Sequence, residues 1–151
     1  MRISFDIDDT LVCGPATPTE PTTRRGLGWA FREPLRQGTA GLLRELSGRG
    51  HELWVYTTSY RSPWYLRLWF RSLGVRLSGV VNADRHRRVV SRVLANPPSK
   101  YPPAFGIHLH VDDSEGVAIE GRVHQFRVLV VTPDDPNWVE AVRAATGSKR
   151  R

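Results

Sequence analysis

The residues of this chain best equipped for chemistry are carboxylates that follow short apolar runs. Asp6 and Asp8 lie in Ile3-Ser4-Phe5-Asp6-Ile7-Asp8-Asp9-Thr10-Leu11, where Ile3, Phe5 and Ile7 alternate with Ser4 and Asp6 in the two-residue rhythm of a strand. That rhythm places Asp6 and Asp8 on one face. Two carboxylates held together repel, so ionising both requires a cation or a shared proton between them. The pattern therefore reads as a divalent-metal site or an acid/base pair. The plain alternative is a polar turn in which Asp8, Asp9 and Thr10 cap their own backbone.

A second acidic pair, Asp112-Asp113, follows Ile107-His108-Leu109-His110-Val111. His108, His110 and Asp112 share a face by the same rhythm, which raises an H-x-H metal site, although an oxygen-rich edge suits hard cations better than histidine does. Hydroxyls come from Thr57-Thr58-Ser59, behind the apolar run Leu53-Trp54-Val55-Tyr56, and an ammonium from Lys100; the other lysine is Lys149.

These groups meet only if the strands that carry them end on one rim. Strands are expected from Ile3, over Leu53 to Tyr56, at Val80-Val81, over Ile107 to Val111 and over Phe126 to Val131. Helical spacing falls between them. Leu42, Leu43 and Leu46 precede a stop at Gly48 and Gly50; Ser62-Pro63 opens a helix that Gly74 closes, with Leu66, Trp69, Phe70 and Leu73 inward. Asp84 is expected to cap a third helix with Val89, Val90, Val93 and Leu94 inward, Ser114 a fourth, and Asp135-Pro136 to open a last one carrying Trp138, Val139 and Val142. Alternation of this kind implies an α/β class: a Rossmann-like parallel five-stranded sheet with helices on both faces. Asp6, Asp8, Thr57, Lys100, Asp112 and Asp113 then share the carboxyl rim, where such sheets bind ligands. On bare chemistry the acids hold Mg²⁺, while Thr57, Thr58 and Lys100 bind the oxygens of a phosphate.

The segment from Leu11 to Gln37 is broken by Pro15, Pro18, Pro21 and Pro34 and leaves from beside Asp8. It reads as a flap or lid, with Arg24, Arg25, Trp29 and Phe31 supplying charge and stacking surface, or with its aromatics tucked onto the core. In the second helix Trp64, Tyr65 and Leu68 carry apolar surface round the side, so a second contact is expected: the flap, a twin subunit or a substrate. Arg85, Arg87, Arg88 and Arg92 read first as a solvated helix face and second as a phosphate clamp. Asn96 to Pro103 reads as a stiff, non-helical loop.

At 151 residues and 17.1 kDa the chain fits one domain, taken as residues 1–146, with residues 147–151 read as a basic, disordered tail. No run is long enough to span a membrane, and the first strand begins without room for a leader, so a cytoplasmic protein is expected. The single Cys13 excludes an intrachain disulfide. Net charge is +7, nearly all of it arginine. An anionic partner follows as an expectation: a phosphorylated small molecule, a phosphorylated macromolecule or a nucleic acid.

Taken in order, D-x-D-x-T at Asp6, the strand-end Thr57, Lys100 and the pair Asp112-Asp113 resemble the four motifs of the haloacid dehalogenase superfamily of phosphohydrolases, over about residues 3 to 132. The resemblance implies that Asp6 is the nucleophile forming an aspartyl-phosphate and that Asp8 is the general acid/base. It implies that Thr57 and Lys100 hold the phosphoryl group, with Mg²⁺ held by the Asp6 carboxylate, the Asp8 backbone carbonyl and Asp112, the more direct of the motif's two acids. The chain departs from many relatives in leaving no room for a large cap domain after the first motif or between the second and third, hence an open site for a bulky or macromolecular substrate, or one covered by the flap. Receiver domains use similar groups in a different order, and no P-loop string is present. An arginine-rich nucleic-acid-binding module without turnover is the alternative; its binding would weaken steeply with salt and survive chelation.

Overall fold

The computed structural model describes residues 1–23 and 26–147, so Arg24, Arg25 and the tail from Ser148 lie outside the described residues. Strand β1 is Arg2–Phe5, and after the flap, whose two short strands β2 (Thr19–Glu20) and β3 (Leu35–Arg36) pair antiparallel, comes helix α1 (Thr39–Gly48). Then follow β4 (Glu52–Tyr56), α2 (Pro63–Ser72), β5 (Gly79–Val81), α3 (Ala83–Val90), a 3₁₀ turn (Pro102–Phe105), β6 (Leu109–Asp112), α4 (Glu115–His124), β7 (Val128–Val130) and α5 (Trp138–Ala145). The main sheet runs β5-β4-β1-β6-β7 with every neighbour parallel. The five strands and helices expected from periodicity are all present.

The two-residue period separates the faces. Ile3, Phe5, Leu53, Val55, Val80, Leu109 and Val111 join one buried cluster with Leu42, Leu43 and Leu46 of α1, Leu66, Trp69 and Phe70 of α2, and Trp138 and Val142 of α5. Trp54, Tyr56 and Val81 face the other way, against Val90 of α3 and Phe105 of the 3₁₀ turn. Helices therefore cover both faces. On the second face Gly79 sits opposite Trp54 in register, and a β-carbon there would lie 2.3 Å from the indole ring, so only glycine fits under it.

Local details depart from the pattern where a side chain found a better partner. The cap of α3 is Asn82, which accepts from the Arg85 amide, while Asp84 lies in the first turn and pairs with Arg87. Helix α3 stops at Val90, so Val93 is exposed and not inward. The proline loop does contain helical structure, the turn Pro102–Phe105, since proline is tolerated in a first turn. The arginines of α3 are not one solvated stripe: Arg85 donates to the Val80 carbonyl at 2.8 Å and stacks over Trp54 and Phe105, while Arg88 and Arg92 are exposed.

The flap is fastened at its base. Arg36, 2 % exposed, donates to the carbonyls of Thr10, Thr132 and Asp135 and lies over the Trp138 ring. Glu20 accepts from the Gly38 and Ala40 amides at the start of α1. No helix among the described residues is long and apolar enough to cross a membrane.

Candidate active site

The sheet order creates the site. From β1 the chain moves outward to β4 and β5, then returns to β6 on the other side of β1, so the crevice beyond the carboxyl ends of β1 and β6 is the point where the winding reverses. Asp6 follows β1, its amide still donating to the Val111 carbonyl at 2.9 Å, and Asp112 ends β6 with Asp113 just beyond it. One oxygen each of Asp6, Asp112 and Asp113 lies within 4.8 Å of the others.

Lys100 reaches this group from the loop before the 3₁₀ turn. Its Nζ is 2.7 Å from Asp112 Oδ2 and 3.0 Å from Asp6 Oδ1, and the side chain is 3 % exposed. Tyr56 positions it: the phenol accepts from the Tyr101 amide at 2.8 Å and donates to His86 Nδ1 at 2.5 Å, and its ring faces the ammonium. Burial pushes the Asp6 carboxyl up to about 6; Lys100 pulls the other way, and the neighbouring Asp112 charge adds to the rise. For Asp112 burial opposes ionisation too, but the His110 hydrogen bond and Lys100 outweigh it and hold the carboxyl well below the usual range. Burial, with the Asp112 charge, also raises Asp113, which accepts from the Thr10 hydroxyl at 3.3 Å.

His110 is not half of an H-x-H metal site. Its Nδ1 meets Ser4 Oγ at 2.8 Å and its Nε2 meets Asp112 Oδ2 at 2.8 Å, while His108 is exposed and accepts from the Arg2 amide. Burial, and then Lys100, push the imidazole down to about 4, so it is neutral, donating from Nε2 to Asp112 and accepting from Ser4. Its action on a metal would be indirect, through the aim of Asp112.

Asp8 has a cation of its own. Strand β1 ends at Phe5, and the chain curls at Asp9 with φ 60, its Val12, Leu11 and Thr10 amides all turned to the Ile7 carbonyl. The half-exposed Asp8 carboxylate pairs with Arg61 at 2.8 and 2.9 Å, and the Lys100 charge acts on it too. The Arg61 hydrogen bonds lower its pKa against the effect of burial. Thr57 ends β4 and is buried, its hydroxyl donating to Ser59 Oγ at 3.0 Å and accepting from the Ser59 amide; Thr58 is exposed. Ser59 in turn accepts from Arg61 at 2.9 Å, and Arg61 pairs with Glu33 of the flap. Sequence reasoning did not foresee that Ser4 bonds His110 or that Glu33 and Ser59 meet Arg61. Tyr65, expected to seek a second surface, finds the flap: its hydroxyl donates to Glu33 and its ring packs on Phe31, while Trp64 and Leu68 remain exposed.

No protein-family model matches the chain, and no curated protein sequence matches it. Its structure is similar to that of a predicted HAD-like family hydrolase from Porphyromonas gingivalis, with a TM-score of 0.53 over 98 % of each chain at 10 % sequence identity. The fold is HAD-like. At that identity the likeness speaks for the fold, and the chemistry is argued from the groups at the rim.

Those groups suit a hard divalent cation. Three carboxylates converge from two strands, and Asp6 Oδ1 is buried with no hydrogen-bond partner, its Lys100 ion pair lying off the hydrogen-bond direction. A buried acidic cluster with an oxygen not satisfied by hydrogen bonding could take a metal ion.

Proposed function

We propose that this chain is a Mg²⁺-dependent phosphomonoester hydrolase that works through an aspartyl-phosphate on Asp6. The observation that carries the reading is the convergence of Asp6, Asp112 and Asp113 around a buried lysine at the β1/β6 switch point. Asp6, Asp112 and Asp113 would hold the metal, which when bound neutralises charge on the phosphoryl oxygens.

Asp6 attacks phosphorus with one carboxylate oxygen, and the bond from phosphorus to the leaving oxygen breaks. Lys100, fixed between Asp6 and Asp112, supplies positive charge where negative charge gathers, without needing to reorganise. Asp8 gives a proton to the leaving oxygen, then takes one from the water that hydrolyses the acyl phosphate and frees Asp6. The Thr57 hydroxyl, just past the end of the neighbouring strand and bonded to Ser59, would take a phosphoryl oxygen, with the exposed Thr58 beside it. The flap reaches the rim through Glu33, which pairs with Arg61, and without a large cap domain a bulky or macromolecular phosphate ester would fit the site. The domain would then be one hydrolase unit with a flap.

The test is a screen of phosphate esters, from sugar phosphates and nucleotides to phosphopeptides and nucleic-acid ends, with Mg²⁺ and with EDTA. Turnover that EDTA abolishes and Mg²⁺ restores is expected. Acid quench followed by mass spectrometry should find phosphate on the peptide containing Asp6. Undiminished turnover without metal, or label on Asp8 or a histidine, would reject the reading.

A further inference from the structure

We propose that Arg61 is a positioning residue that sets the aim of the Asp8 side chain and is itself held from the flap by Glu33. The inference rests on the phosphatase reading above, in which Asp8 carries the leaving-group proton.

A guanidinium has five N–H donors, and here all five are engaged. Nε donates to Glu33 at 3.0 and 3.2 Å. Nη1 donates to Asp8 Oδ2 and to Ser59 Oγ, both at 2.9 Å, and Nη2 to Asp8 Oδ1 at 2.8 Å and Glu33 Oε1 at 2.5 Å. No donor is left over for a phosphate while these bonds stand. The partners behind the arginine are themselves fixed: Tyr65 donates to Glu33 Oε2 at 3.0 Å, Ser59 is tied to Thr57, and the Arg61 carbonyl accepts from Asn82 at 3.2 Å. The side chains of Arg61 and Glu33 are 20 % and 25 % exposed, whereas Asp8 is 54 % exposed. One anchored wall therefore presents two parallel N–H groups to the single carboxylate of the group that faces solvent.

An ion pair with so exposed a member adds little to stability. What it does supply is geometry, because a two-pronged pair fixes both the rotamer and the plane of the carboxylate. Proton transfer in the transition state depends on that aim. The same two bonds favour the ionised carboxylate, so as the bond from phosphorus to oxygen breaks and its electron pair goes to the leaving oxygen, the proton that follows comes from the minor protonated form of Asp8, and the part of Arg61 is to hold the plane of that group; Arg61 gives up no proton and touches neither atom. Glu33 makes the flap part of this arrangement.

The experiment measures kcat/KM with Mg²⁺ for wild type, Asp8→Asn, Arg61→Lys and Glu33→Gln against phosphate esters from dinitrophenyl through phenyl to alkyl. Circular dichroism confirms that each variant folds. A dinitrophenyl leaving group needs no proton and an alkoxide does. Arg61→Lys keeps the charge but loses the fork, so it should lose about 10-fold on alkyl phosphates, part of the roughly 10²- to 10⁴-fold that an acid provides, and less than about 2-fold on the dinitrophenyl ester. Glu33→Gln should move in the same direction by less, and Arg61→Lys should cost nothing further in an Asp8→Asn background. A loss equal across the series, or a rise in KM at constant kcat, would show Arg61 to be structural or substrate-binding and overturn the inference. A flat series for Arg61→Lys beside a steep one for Asp8→Asn removes the inference alone. A flat series for Asp8→Asn removes the acid/base reading beneath it as well.

Discussion

Asp6→Asn should make the metal-free protein more stable while abolishing turnover. The fold raises the Asp6 carboxyl from 3.8 to about 6, chiefly by burial, so the native state holds a proton that the unfolded chain has already released. Stability contributed by that proton is complete below pH 3.8 and is lost as pH rises through about 6. Above that range the buried carboxylate costs about 3 kcal/mol, two pH units at about 1.4 kcal/mol each. An asparagine carries no charge to bury, although its amide hydrogens must find acceptors where Lys100 now sits. A net gain of about 1–3 kcal/mol is therefore expected at neutral pH, a rise in Tm of roughly 2–10 °C for a chain of this size. Thermal unfolding followed by circular dichroism in EDTA, from about pH 4 to about pH 8, measures it. The advantage should shrink toward zero at the acid end. Added Mg²⁺ should raise the Tm of wild type more than that of the variant, which has lost one of the ligands. A variant no more stable than wild type at neutral pH, or a difference that does not change with pH, would refute the argument and show that Lys100 fully offsets the burial of Asp6.

Lys100→Ala leaves Asp6 and Asp112 facing each other without their shared cation. It should cost about 10²-fold or more in kcat. It should also lower metal-free stability by about 3–5 kcal/mol, with Mg²⁺ restoring part of the loss. Turnover kinetics and thermal melts with and without metal check both, and wild-type kcat would mean that another cation serves. Gly79→Ala should destabilise by about 1–3 kcal/mol because its methyl group meets the Trp54 ring. Urea unfolding at unchanged m-value measures it, and an unaffected midpoint would mean that Trp54 moves aside at no cost.

The strands, the helices and their alternation were legible in the sequence, because hydrophobic period is a local property of the backbone. The meeting of Asp6 with Asp112 and Asp113 was legible as well, since parallel strands must deliver their carboxyl ends to one rim. The partner of Asp8 was not. Strand β1 ends at Phe5, and the cation that Asp8 takes, Arg61, comes from the loop after β4. The histidine pattern misled for a similar reason: spacing cannot show that His110 lies between Ser4 and Asp112 with both nitrogens already bonded. Nor does spacing reveal that Glu33, Ser59 and Asp8 converge on one guanidinium from a flap, a strand end and a turn. Periodicity follows from backbone geometry over a few residues. Which charge takes which partner is decided by burial and by the meeting of loops far apart in the chain, and that exists only once the sheet has closed around them.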